Sequence, residues 1–108
     1  MKNTIQNTED ISLKIHRSYR VVVAVCDLEL INKKFEEGKL QIHLKENFYK
    51  DKITNVEEAI RIIKQQMLND ATFNIVGKNS ISAAISAGLI EPSGIGSIRG
   101  IPFALTLS

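Results

Sequence analysis

The single cysteine, Cys26, stands directly before an acid in the stretch Val25-Cys26-Asp27-Leu28-Glu29-Leu30. With the two histidines, His16 and His43, these are residue types from which a thiolate nucleophile or a metal site is built. A nucleophilic cysteine needs a histidine or the positive end of a helix beside it, because only the thiolate attacks. An adjacent carboxylate does the opposite and raises the thiol's pKa. No pair among the four has a local ligand spacing such as i,i+4 on a helix. The competing assignment is structural: Cys26 ends a buried strand and Asp27 caps the helix that follows.

A second set of residues suits different chemistry. Lys45, Phe48, Tyr49, Lys50 and Lys52 lie close together after Lys39 and His43, and Lys14, His16, Arg17, Tyr19 and Arg20 form another group. Cations hold phosphates and aromatic rings stack on unpaired bases, so the mixture fits single-stranded nucleic acid. Glu46 and Asp51 interrupt the later group, and Phe48 also fits a core position. The contact residues expected are Lys14, Arg17, Arg20, Lys45, Tyr49 and Lys50. Two glycine-containing stretches compete for attention. Gly94-Ile95-Gly96-Ser97-Ile98-Arg99-Gly100 lacks the G-x-G-x-x-G spacing and leads into a strand, so it is a loop and not a dinucleotide cradle. Gly77-Lys78-Asn79-Ser80 opens a helix whose free N–H groups could hold one phosphate or sulfate.

These residues need elements to position them. Ile11, Leu13 and Ile15 alternate with Ser12, Lys14 and His16, which predicts a half-buried strand over 11–17. Residues 20–26, RVVVAVC, are β-branched and apolar on both faces and predict a central strand. A two-residue turn at Ser18-Tyr19 would pair Arg17 with Arg20 and Ile11 with Cys26, placing the thiol on the core side with Ile11, Leu13 and Ile15. Asp27 would then cap a helix over 28–35, with Leu28, Ile31 and Phe35 at helical spacing and Gly38 ending the segment. Residues 39–45 alternate again, with Leu40, Ile42 and Leu44 inward.

Thr54-Asn55-Val56-Glu57 reads as a capping box opening a helix to about residue 68. Val56, Ala59, Ile60, Ile63 and Met67 form its apolar face, and Glu57 with Arg61 an outer i,i+4 pair. Residues 71–76 predict a strand or extended link. A second main helix starts at Asn79 or Ser80 and ends at Gly88. Ile101, Phe103, Leu105 and Leu107 alternate in a closing strand, and Pro102 puts that strand at an edge or bulge. An edge there could pair with a second copy of the chain, which would give a homodimer. The sum is an α+β fold with a mostly antiparallel sheet and two main helices, residues 11–108 forming one domain behind a flexible tail at 1–10.

The bulk numbers agree with one small domain. The chain has 108 residues, 44% hydrophobic and 24% charged, with 6% aromatics and no tryptophan. The core must therefore be aliphatic. A net charge of +2 permits contact with nucleic acid without demanding it. One cysteine excludes an internal disulfide and a multi-cysteine zinc site. No apolar run approaches the roughly 20 residues that cross a bilayer, and the N-terminus lacks the apolar core of a signal peptide. A cytoplasmic protein, with no membrane contact and no cofactor, is expected.

The order of several motifs is also familiar. Ile15-His16-Arg17, Val22–Val25 with Cys26-Asp27, Leu30, Lys33, Phe35, Gly38, Phe48-Tyr49, Ala71, Asn74-Ile75-Val76-Gly77, Gly88 and Gly100-Ile101-Pro102 together resemble a small archaeal family, "domain of unknown function 424". The likeness spans about residues 12–105. It implies a stand-alone archaeal cytoplasmic protein and carries no catalytic residues with it. The chain departs from the family's pattern at Phe103 and Leu105, where a histidine and a glutamine are usual. It departs also at Lys50-Asp51 after Phe-Tyr, and at Asn32 in a glycine position. Loss of the closing histidine weighs against an enzyme. The expected function is a non-enzymatic module for RNA or a ribonucleoprotein of the translation apparatus. The alternatives are a small enzyme or metal protein using Cys26, Asp27, His16 and His43, and a protein-interaction homodimer.

Overall fold

The computed structural model describes residues 8–106. The expected tail at 1–10 and Leu107 of the closing strand fall wholly or partly outside these residues. Asp10 already belongs to the body of the fold, since its carbonyl accepts the Leu28 N–H at 2.8 Å.

Among these residues, eight strands and three helices make an α+β fold. The strands are β1 (Ile11–Arg17), β2 (Val21–Asp27), β3 (Lys34–Glu37), β4 (Leu40–His43), β5 (Lys52–Thr54), β6 (Thr72–Val76), β7 (Gly96–Ile98) and β8 (Ile101–Thr106). The helices are α1 (Glu46–Tyr49), α2 (Val56–Met67) and α3 (Lys78–Ser86), and short 3₁₀ turns lie at Leu28–Leu30 and Pro92–Gly94. Six strands form one sheet in the order β5-β1-β2-β6-β8-β7, and β3 and β4 form a separate hairpin. The sheet is mostly antiparallel, as expected; only β2 and β6 run parallel. A parallel pair needs a long crossover, here the whole segment from the 3₁₀ turn through α2.

Both faces of the sheet are covered, and this divides the core in two. α2 and α3 pack on one face over Leu13, Val23, Val25, Phe73 and Ile75. The β3–β4 hairpin and α1 lie on the other, over Ala24, Cys26, Leu30, Leu44, Tyr49 and Val76. The strands of the middle are therefore apolar on both faces, which is why 20–26 shows no alternation.

Four expectations are corrected. The first hairpin turns over three residues, Ser18 to Arg20, so Arg17 pairs with Val21 and Ile11 with Asp27. Because side chains alternate across a strand, this slip of one moves Cys26 to the second face, opposite Ser12. The helix expected over 28–35 is a single 3₁₀ turn followed by β3. Asn32 breaks it at φ +73°, a left-handed conformation that Asn tolerates and that suits the glycine usual there. Leu30 and Phe35 still reach the core, Leu30 from the 3₁₀ turn and Phe35 from the strand β3. Gly38 turns the β3–β4 hairpin at φ +59° and ends no helix. Finally, β8 lies inside the sheet between β6 and β7, so the edges are β5 and β7. Pro102 pairs with Ser97 and lies beyond the end of β6, where no ladder bond needs its missing N–H. Its carbonyl accepts the Gly77 N–H at 2.9 Å.

Candidate nucleic-acid interface

The thiol–acid pair is structural. Cys26 is fully buried and its Sγ donates to the Asp27 carbonyl at 3.3 Å. Burial, with the neighbouring Asp27 charge, pushes the thiol up to about 12. A thiol held protonated is no nucleophile at neutral pH. Asp27 is a helix cap, but for α3 and not for the residues after it. Its Oδ2 accepts the Asn79 N–H at 3.1 Å, and its Oδ1 accepts the Ser80 N–H and the Ser80 hydroxyl, both at 2.8 Å. Burial raises the carboxyl above its ordinary value, the donors from Asn79 and Ser80 pull it back, and the Asp10 charge adds to the rise. The phosphate site considered at Gly77–Ser80 is thereby filled: a carboxylate of the protein itself takes those N–H groups. His16 and His43 do not converge on this pair. His43 is exposed on β4, while His16 contacts α1. Among the described residues, no three of His, Cys, Asp and Glu come together as metal ligands.

The basic and aromatic residues are brought together differently. α1 lies across β1 on the second face. The fixing bonds are local and complementary: Lys14 Nζ donates to Asn47 O at 2.7 Å, His16 Nε2 to Phe48 O at 2.8 Å, and Ser12 Oγ to Tyr49 O at 3.0 Å. Ser12 Oγ also accepts the Asp51 N–H at 3.3 Å, which leads the chain into β5. One alternate face of β1 thus satisfies the carbonyls left free at the end of a one-turn helix. The rings follow: His16 stacks on Phe48 at 4.5 Å and 20°, and Phe48 meets Tyr49 edge-on at 5.0 Å.

Of the expected contact residues, Lys14 is half-buried beside α1, and Lys45 and Lys50 flank α1 at its two ends, both exposed. Lys50 pairs with Glu46 at 3.3 Å, an exposed pair that a phosphate can displace. Arg17 and Arg20 are exposed at the end of the first hairpin, next to Tyr19, which is 101% exposed. Tyr49 is the one buried member of the set: at 9% exposure its ring belongs to the second core, and burial, with Cys26 adjacent, pushes its hydroxyl up to about 12. Phe48 presents the outer ring, stacked on His16.

The sequence reading missed a cavity of about 170 Å³ beside these rings. It opens on the second face of the sheet and is lined by Ile42, Tyr49, Asn74, Val76, Phe103 and Leu105. Phe103 and Leu105, two of the positions that depart from the resembled pattern, are both here. Finding it required the pairing of β6 with β8, which sets Asn74 opposite Leu105 and Val76 opposite Phe103.

The family described as "protein of unknown function (DUF424)" matches residues 15–107. The chain belongs to this family. The DUF424 match covers the second core, α1 and the cavity, and the first core apart from Ile11 and Leu13. Among solved structures, the chain is similar to an uncharacterized conserved protein from Methanopyrus kandleri, with a TM-score of 0.81 and 25% identity over 89% of each chain. No curated protein matches. Among the described residues of this DUF424 chain, no helix is long and apolar enough to cross a membrane.

Proposed function

We propose that the protein is a non-enzymatic, cytoplasmic binding module for RNA or a ribonucleoprotein, working through the face that carries α1. One observation carries this reading: the docking of α1 on β1 sets the His16–Phe48 stack beside Lys14, between Lys45 and Lys50. Cations around a stacked aromatic pair supply both phosphate attraction and a platform for a base. The buried, protonated Cys26 weighs against a thiol enzyme. Arg17 alternates onto the opposite face of β1, beside Arg61 and Gln65 of α2, and so lies off this strip; Arg20 sits in the turn at its end.

The test is fluorescence anisotropy with a labelled single-stranded RNA across a salt series. Binding should weaken steeply with salt, with a slope set by the phosphates contacted. The double variant Lys45→Glu, Lys50→Glu should bind at least about ten-fold more weakly and show a shallower slope. Unchanged affinity in that variant rules out this face. No RNA binding by the wild type at low salt rules out the reading itself.

A further inference from the structure

The cavity beside Tyr49 has the features of a site for one flat polar ring. Its volume of about 170 Å³ equals some five or six waters at ~30 Å³ each, below the ≈300 Å³ at which drug-sized sites begin. Its walls are apolar and aromatic. The ring of Phe103 lies over Gly96, where even a Cβ would come within 2.7 Å of its Cζ, so glycine leaves the ring room to lie flat.

Two polar groups stand in these walls. Asn74 is half-buried in the middle of an inner strand, in register with Ala24 on one side and Leu105 on the other. No hydrogen bond from its carboxamide or from the Tyr49 hydroxyl to another described residue is found, and neither is among the fully buried unpartnered atoms, so both face the open cavity. A polar group that faces a cavity can exchange its water for a ligand group. A carboxamide offers donor and acceptor side by side, the pattern that reads a base edge in bidentate fashion. The Tyr49 hydroxyl stays protonated and adds one more donor. The ring contacts run from His16, beside Lys14, through Phe48 to Tyr49, which lines the cavity. Leu105, 66% exposed, forms its outer lip.

We infer that this cavity receives a single unpaired nucleobase, stacked against Phe103 and read by the Asn74 carboxamide and the Tyr49 hydroxyl. The inference rests on the RNA-binding reading and adds base selectivity to it. The phosphates beside that base would lie on the strip around Lys14 and Lys45, so affinity and selectivity come from different residues.

The experiment compares labelled oligonucleotides of A, C, G and U, and the four free nucleoside monophosphates, against wild type, Tyr49→Phe and Asn74→Ser. Tyr49→Phe keeps the packing volume, Asn74→Ser shortens a half-buried side chain, and thermal melts check that both fold. The wild type should prefer one homopolymer by at least about ten-fold. Either variant should cut that preference to about two-fold and leave the salt slope unchanged. The Asn74 side-chain amide resonances of the wild type should shift on adding the preferred oligonucleotide, which tests the site without mutation. Equal affinity for all four homopolymers, or variants that keep the preference, overturns the base pocket while leaving RNA binding in place. A monophosphate that binds as tightly as its oligonucleotide, with the Asn74 shift, supports the pocket and overturns the RNA reading. No binding of either kind overturns both.

Discussion

Asp27 holds the first turn of a helix that begins some fifty residues further along the chain, at Asn79 and Ser80. The close approach this needs explains Gly77. Its φ is +110°, and a Cβ there would fall within 2.6 Å of Asp27 Oδ1. Gly77→Ala therefore clashes with the cap and strains the backbone together. It should cost about 2–4 kcal/mol in urea unfolding, more than a left-handed glycine in open space would lose. Asp27→Asn keeps the shape but presents an N–H₂ where an oxygen now accepts. It should lose about 1–3 kcal/mol, the penalty for buried donors left without an acceptor. Wild-type stability in Asp27→Asn would show that the cap is not what anchors α3. Cys26 allows a chemical test at the same scale. With its pKa near 12, folded protein at pH 9 should react with iodoacetamide at least about a hundred-fold more slowly than protein in denaturant.

At the scale of elements, what could be read in advance was what repeats locally. α2 carries enough turns for its period to show, and it runs from Val56 to Met67 as expected. Its cap is one residue later than the motif suggested: Asn55 accepts the Glu58 N–H at 2.8 Å, and Glu58 takes the Thr54 hydroxyl and pairs with Lys52 and Arg61. Asn55→Ala should cost about 1 kcal/mol of unfolding free energy, and Thr54→Val less, since only Asn55 satisfies a backbone donor. Unfolding curves of the two variants decide between the two registers of the box. Not every short element could be read: β4 shows its alternation, but β5 owes its shape to β1, about forty residues earlier, and β3 reads as helix. Leu28, Ile31 and Phe35 fit a helix as well as they fit an irregular strand that dips into the core. The β1–β2 register was equally hidden, since Ser18-Tyr19-Arg20 contains no glycine to mark a turn type. The interface was legible in part for the same reason. Lys14, Lys45 and Lys50 are visible as cations, but the burial of Tyr49 and the unpaired Asn74 follow only from how β1, β6 and β8 share a face.

For the whole molecule, the second core sets how stability depends on pH at the alkaline end. Cys26 and Tyr49 both belong to it, and both are pushed up to about 12 by burial. In the unfolded chain they titrate near 8.5 and 10. A group whose folded pKa lies above its unfolded one contributes fully below the unfolded value and loses that contribution as pH rises toward the folded one. Stability should thus be flat up to about pH 8.5 and then fall as far as pH 12, first through Cys26 and then through Tyr49 as well. Glu58 acts in the opposite direction. The Thr54 hydroxyl and Lys52 hold it below its ordinary value, so its contribution is present at neutral pH and is lost as pH falls through its folded value. Both clusters share β2 and β6, so loss of the second core should carry the first with it in one transition. Melting the protein at pH 8 and pH 11 should show a fall of roughly 20 °C, scaled from about 4 kcal/mol for a chain of this size. The double variant Cys26→Val, Tyr49→Phe removes both titrating groups and should abolish most of that fall while keeping the single transition. A drop of the same size in the variant would place the alkaline sensitivity outside the second core. Two separate transitions in the wild type would mean that the two faces of the sheet fold independently.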